Sequence, residues 1–295
     1  MDEILIDARD GRHLEVLVGG DPDGFPWLFH GGTPSAAVAS DAIDQVAREA
    51  GLRLITYSRP GYGRSTPRPW PRPRIADDLA DSVVVLDALD ADEFVTVGWS
   101  GGGPRALACA ALLPRRCRAA ASLAGVAPSD ASDLDFSAGM GPENVEEFAA
   151  AAAGPEAYAA FLAEPVAQLA TVTADEVAAS LGELITEVDA AALTGEFADW
   201  LAATFRHAAA QGVIGWREDG IAIMGPWEFP LSEIRVPVSI WQGRQDAMVP
   251  FAHGEWLAAN VPGARAHLFE DEGHISLMGR LDDVVADLKQ LAGIG

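Results

Sequence analysis

Lysine is almost missing from this chain, with Lys289 its single example, and cysteine occurs only at Cys109 and Cys117. Two cysteines cannot staple a chain of 295 residues, and no Cys/His spacing resembles a metal site. Both thiols therefore read as buried packing residues. Positive charge is scarce: 20 Lys and Arg stand against 44 Asp and Glu, for a net charge of −24. Such a balance repels nucleic acid and anionic membrane surfaces, and it disfavours highly anionic substrates unless a local basic pocket intervenes. Its plain role is solubility. No apolar run is long enough to span a bilayer. The opening MDEILIDARDG is acidic and strand-like, unlike a secretory leader, so the expected location is cytoplasmic. The shortage of lysine beside abundant Arg and Ala reads as the coding signature of a GC-rich genome and carries no chemistry.

The hydrophobic fraction of 49% and charged fraction of 22% suit one large core, or a core with a smaller insertion. Residues 1–127 alternate short β-branched runs with helical patterns. Strands are predicted at LEVLV (14–18), PWLFH (26–30), LRLITYS (52–58), FVTVGW (94–99) and RAAASLAG (118–125). Helices are predicted at 40–51, 74–90 and 104–113. Alternation of this kind implies an α/β fold: a mostly parallel central sheet with helices on both faces. From 128 to 230 the alternation stops, and alanine-rich helical segments dominate. In them Phe148, Tyr158, Phe161, Leu162, Phe197, Trp200, Leu201 and Phe205 recur at helical spacing and need a surface to bury against. Alternation returns at 231–295, with strands at 236–243 and 264–270 and helices at 251–261 and 275–293. The plan is one core domain, 1–127 plus 231–295, interrupted by an all-helical cap at 128–230. There is no internal repeat; PRPWPRPR (67–74) reads as a proline-rich basic loop.

The glycine-dense GWSGGGP (98–104) admits two chemistries. As a dinucleotide loop, Gly101, Gly103 and Ala106 would form G-x-G-x-x-A. That fingerprint belongs in the first strand–turn–helix unit with an acid about 20 residues on, and RAAASLAGVAP supplies none. As a nucleophile turn, Gly98-Trp99-Ser100-Gly101-Gly102 fits G-x-S-x-G between a strand and a helix. Side chains at 98 and 102 would collide across such a turn, and Pro104 falls in the first helical turn where a missing N–H is tolerated. The Gly101 N–H is then aimed at a developing oxyanion.

A serine hydroxyl needs a base, and the base needs an orienting acid. Asp246 in QGRQDAMVP and His274 in EDEGHISL each follow a predicted strand, in the chain order Ser, Asp, His. His13 and His267 sit in strand patterns and His207 and His253 in helical ones, so each reads as structural. In FHGGTPS (29–35), Gly31 and Gly32 permit close approach to the serine, and the N–H of Gly32 or Thr33 can be the second oxyanion donor. His30 competes as a second catalytic histidine but fits better as a hydrogen-bonded support of this loop.

Together FHGGTP, SRPGYGRS (58–65), GWSGGGP, QGRQDAMVP and EGHISL resemble the α/β-hydrolase superfamily, in the branch that carries a helical cap. The resemblance covers nearly the whole chain, most weakly in the cap. It implies acyl transfer: Ser100 attacks a carbonyl, His274 moves the proton, Asp246 orients the imidazole, and Gly101 with Gly32 or Thr33 holds the oxyanion. The HGG pattern also resembles proline iminopeptidases, although Trp99 precedes the serine and no amine-holding acids are identifiable in the cap. The serine nucleophile argues against epoxide hydrolases and dehalogenases, which use aspartate. The expected substrate is a small to medium, largely apolar ester, or a lactone or amide. An aminopeptidase or amidase, a cofactor-free lyase or perhydrolase, and a ligand-binding receptor with a slow triad are the alternatives. Trp99, Met140, Phe161, Trp200, Phe205, Trp216, Met224 and Trp227 are the candidate pocket residues. No metal or organic cofactor is implied, and the partner is a small molecule; oligomeric state has no sequence signal.

Overall fold

An antiparallel ribbon starts the molecule: β1 (Asp2–Asp7) pairs with β2 (His13–Gly20), the alternating residues of DEILID matching those of HLEVLVGG. The computed structural model describes residues 1–8, 10–69 and 73–295. After the ribbon come β3 (Phe25–His30), α1 (Asp41–Glu49), β4 (Leu52–Tyr57), α2 (Ile75–Ala88), β5 (Phe94–Trp99), α3 (Gly103–Leu112) and β6 (Cys117–Leu123). Six helices then follow without a strand: α4 (Pro142–Ala152), α5 (Pro155–Leu169), α6 (Ala174–Ser180), α7 (Glu187–Ala192), α8 (Gly195–Ala208) and α9 (Ile214–Met224). The sheet resumes with β7 (Val238–Gly243), α10 (Phe251–Asn260), β8 (Arg265–Phe269) and α11 (Leu281–Ala292).

The strand order is β1-β2-β4-β3-β5-β6-β7-β8, antiparallel at the β1-β2 and β2-β4 pairs and parallel from β4 onward. Parallel strands need crossovers, and helices on both faces supply them. The period of two divides each strand between two cores. Leu28, Phe94 and Ala120 face a cluster with Val85, Leu86, Leu107 and Leu257. Trp27, Val95 and Ala121 face one with Ile43, Val284 and Leu288. The alanines of β6 leave room for α3 and α11, which both pack on it. Cys109 and Cys117 are free thiols buried in the first cluster; burial pushes the Cys109 thiol up to about 12. Among the described residues, no helix is long and apolar enough to cross a membrane.

Three local outcomes differ from the sequence pattern. The helix expected from residue 275 begins at Leu281, because Ser276–Arg280 forms a tighter 3-10 turn whose leading N–H groups are bound elsewhere. Helix α7 is too short to show periodicity. Helix α9 carries Gly215 and Gly220, which disfavour helix by propensity. Tertiary packing requires both glycines: a Cβ would lie 2.6 Å from the Tyr62 ring at Gly215 and 2.3 Å from the Tyr158 ring at Gly220. In the proline-rich loop, residues 70–72 lie outside the described residues. Arg68 of that loop is buried, paired with Asp78 at 2.7 Å and also with Asp81.

Those pairs end a chain of buried charge that starts on α9. Asp219 binds Arg59 at 2.5 Å and Arg105 at 3.0 Å, Arg105 binds Asp78 at 2.7 Å, and Arg12 binds Asp81 at 2.6 Å. Burial raises the cost of ionising Asp78, but Arg105, Arg68 and Arg59 outweigh it and hold its carboxyl at about 2. Removing one member of such a set strands the others, so Asp219→Ala should cost about 3–5 kcal/mol of unfolding free energy in a urea titration. Arg48→Ala removes only an i,i+4 pair whose arginine is exposed, leaves Asp44 its bond from the Gly20 N–H, and should change it by less than about 0.5 kcal/mol.

Candidate active site

β5 ends at Trp99, and the chain reverses so sharply that Ser100 sits at φ +57°, left-handed backbone that a serine rarely adopts. Close packing enforces it. A Cβ on Gly98 would meet the Gly102 oxygen at 2.1 Å, and one on Gly102 would meet the His30 oxygen at 2.1 Å. The first contact lies across the turn, as the sequence pattern requires. The second shows that Gly102 is small for the sake of β3, which runs alongside. After a 3-10 turn at Ser100–Gly102, α3 begins at Gly103 with Pro104 in its first turn.

The loop after β3 abuts the serine. A Cβ on Gly32 would lie 3.2 Å from Ser100 Cβ, and one on Gly101 would lie 2.4 Å from Thr33 Oγ1. Arg59 fixes this loop: its guanidinium donates to the Gly31 oxygen at 2.9 Å and the Gly32 oxygen at 2.5 Å. In a trans peptide the N–H points opposite its C=O, so the N–H groups of Gly32 and Thr33 face away from Arg59. Among the described residues, no other group accepts from either N–H. Arg105 holds the Gly101 oxygen at 2.6 Å, and the Thr33 hydroxyl donates to Asp219 at 2.7 Å. Burial and the charges of Arg59 and Arg105 push His30 down to about 3. It is a neutral, buried support with Cys109 Sγ 3.8 Å from its Nε2.

Asp246 and His274 meet from the loops after β7 and β8. The Asp246 Oδ2 is 2.8 Å from His274 Nδ1 and accepts from Gln242 at 2.9 Å; its Oδ1 accepts the N–H groups of Met248 and Val249 at 2.8 and 2.7 Å. Burial works against a charged imidazole, but the Asp246 charge and hydrogen bond, with the Asp189 charge, outweigh it and raise the His274 pKa. Trp99 Nε1 donates to the His274 oxygen at 3.2 Å, with the rings 5.6 Å apart.

Ser100, Gly101, Gly32, Thr33 and His274 line one cavity of about 270 Å³ between the carboxyl ends of the central strands and helices α4, α5, α6, α8 and α9. Of the aromatic and methionine candidates, Trp99, Phe161, Phe205 and Trp216 line it. Four do not. Trp200 stands behind Trp99, bonded to the Val38 oxygen at 3.1 Å. Trp227 stacks on Phe229 in the core, Met224 packs beside Tyr158 and Leu162, and Met140 is buried ahead of α4. Apolar packing claims such residues as readily as a pocket does. Sequence reasoning missed Arg59, Asp189 and Asp219, since a buried ion pair between distant segments leaves no local pattern. It also missed the polar wall of α4, where Glu143, Asn144, Glu146 and Glu147 line the cavity; Glu147 accepts from Tyr158 at 2.5 Å and Trp216 at 2.6 Å. Gly102→Ala should lower unfolding free energy by about 1–3 kcal/mol, because its Cβ meets fixed backbone. Gly279→Ala, with nothing within 4 Å, should leave the thermal midpoint unchanged.

Comparison with known proteins agrees with this architecture. The profile of the alpha/beta hydrolase fold family matches residues 28–281. A pimeloyl-[acyl-carrier protein] methyl ester esterase of Aromatoleum aromaticum is 30% identical over 245 residues, covering 79% of this chain and 85% of that protein. A non-heme chloroperoxidase of Streptomyces lividans is 31% identical over 157 residues, 52% of this chain and 55% of its own. Among solved structures, an esterase from Exiguobacterium antarcticum superposes with a TM-score of 0.68 at 20% identity, over 99% of this chain and 100% of that one. The chain belongs to the α/β-hydrolase fold family.

Proposed function

We propose that this protein is a serine hydrolase that cleaves a small to medium, largely apolar carboxylic ester through an acyl-enzyme. The observation that carries the reading is the His274 Nδ1–Asp246 Oδ2 bond at 2.8 Å, which leaves Nε2 for another partner, on a cavity that Ser100 also lines. His274 Nε2 takes the hydroxyl proton as Ser100 Oγ bonds to the carbonyl carbon, and the carbonyl oxygen becomes an oxyanion held by the N–H groups of Gly101 and Gly32 or Thr33. Collapse breaks the bond to the leaving alcohol, which receives the proton from His274. Water, deprotonated by the same imidazole, then releases the acid and restores Ser100. Asp246 stabilises the imidazolium at both steps.

Relatives named as esterases support the ester class. The cavity supports the size and polarity: Leu169, Leu181, Leu184, Leu201, Phe205 and Ile223 make a greasy wall with room for a short acyl or alcohol group. Residues 128–230 act in this reading as a cap roofing that cavity. Asn144 Nδ2, 3.0 Å from the Met248 oxygen, ties it to the loop carrying Asp246. The likeness to a chloroperoxidase supports a second reading on the same residues, in which hydrogen peroxide replaces water and the acyl group leaves as a peracid.

Ser100→Ala should lower kcat for a p-nitrophenyl ester on the order of 10⁴-fold. Near-full activity in that variant would sink the reading. A base must be unprotonated to act, and His274 is raised above the ordinary 6.5, so kcat/KM should climb with pH through a midpoint above 6.5 and vanish below it. A flat profile between pH 5 and 8 would contradict this. Among the described residues no Arg or Lys lines the cavity, while Glu143, Glu146 and Glu147 do. An acyl chain ending in a carboxylate should therefore react with lower kcat/KM than the same chain ending in a methyl ester; the reverse order would exclude the assigned binding face.

A further inference from the structure

We propose that Asp189, on helix α7, is a positioning residue for His274, its carboxylate holding the 274–276 backbone so that the imidazole stays seated on Asp246 and turned to Ser100. Asp189 is fully buried, with 0% of its surface exposed. Its Oδ2 accepts the His274 N–H at 3.0 Å, and its Oδ1 accepts those of Ile275 and Ser276 at 2.8 and 2.9 Å. Among the described residues, no Arg, Lys or His pairs with it. A buried carboxylate without a cation is costly unless hydrogen bonds meet its charge. Here three consecutive backbone donors do so, and charge-assisted bonds of this kind are the strong ones. The site is built for the approach: a Cβ on Gly273 would lie 2.4 Å from Asp189 Oδ1.

The same histidine is held from two other directions. Trp99 Nε1 donates to its oxygen, and Asp246 takes its Nδ1. Asp189 therefore closes a three-point mount in which the N–H, the C=O and the ring are each fixed by a different segment. Misplacing a base by an ångström can cost on the order of 100-fold in rate, so the mount bears on turnover as well as on stability. The charged groups around His274 are Asp246 beyond β7, Asp189 on α7, and Glu143, Glu146 and Glu147 across the cavity on α4. On its own loop Glu272 is paired with Arg280 at 2.7 Å. Of these, Asp246 and Asp189 raise the imidazole pKa.

The inference rests on the reading of His274 as the base, and His274→Ala separates the two: an active H274A refutes that reading and leaves Asp189 without a role. In Asp189→Asn the shape is kept, but the amide nitrogen or the lost charge weakens the grip on three N–H groups. Relative to wild type, D189N should lose on the order of 10- to 100-fold in kcat with KM changed less than about threefold, and the acid-limb midpoint of its pH profile should move down. A purely structural carboxylate would lower the unfolding midpoint and leave both readouts alone. Either readout staying at its wild-type value in folded D189N overturns the proposal. Should D189N not fold, Gly273→Ala presses on the same contact from the other side. It should show the same two changes, and wild-type kcat and acid limb in it would equally overturn the proposal.

Discussion

Two buried guanidiniums govern the geometry of this molecule. Arg59 and Arg105 share Asp219 as counter-ion, and each also grips backbone carbonyls of the glycine turns, Gly31 and Gly32 for one and Gly101 for the other, while Arg105 binds Asp78 as well. A guanidinium is planar, always charged and rich in donors, so it can satisfy a carboxylate and two carbonyls at once, which a lysine cannot. Because each peptide unit is rigid, the grip of Arg59 on the Gly31 and Gly32 oxygens sets the direction of the Gly32 and Thr33 N–H groups on the other side, while Arg105 fixes the peptide that follows Gly101. The polarity of the cavity floor is thus dictated from behind, by charges that never reach it.

The counter-ion comes from the wrong part of the chain, and that has weight. Asp219 and Asp189 both lie on helices inserted between β6 and β7, yet their carboxylates terminate on loops that belong to the sheet. Glu15 and His207 add a third bridge, 2.8 Å long, between β2 and α8. Electrostatic contacts that are buried and geometrically demanding specify one arrangement of two bodies better than apolar area does, because apolar surfaces tolerate sliding. The insertion is therefore locked in register with the sheet through ions, while its aromatic side chains fill the space.

Much of this was legible in the sequence. Strands β3 through β8 and helices α1, α2, α3 and α10 announce themselves by period and by glycine or proline punctuation, to within a residue or two. Ser100, Asp246 and His274 stand out in the sequence because each sits on a loop just past a strand, and the fold brings His274 against Asp246 and sets it with Ser100 on one cavity. The misses share one cause. Met140, Trp200, Met224 and Trp227 have the chemistry of pocket residues, but the choice between pocket and core depends on neighbours far away in sequence. Asp189 sits in a six-residue helix, and Asp219 on a glycine-interrupted one. A lone aspartate among forty-four acids carries no mark of the three backbone donors it will meet. Arg59 stands within SRPGYGRS with no task visible in the sequence, because its task exists only once Asp219 arrives.

The wall of α4 gives the chamber a sense of direction. In the proposed reaction an uncharged ester meets the leucine side of the chamber, and its hydrolysis leaves an anion beside Glu143, Glu146 and Glu147, with no lysine or arginine among the described residues that line it. On that reading cleavage itself creates a repulsion that favours release of the acid, and the excess of negative charge over the chain extends that push outward.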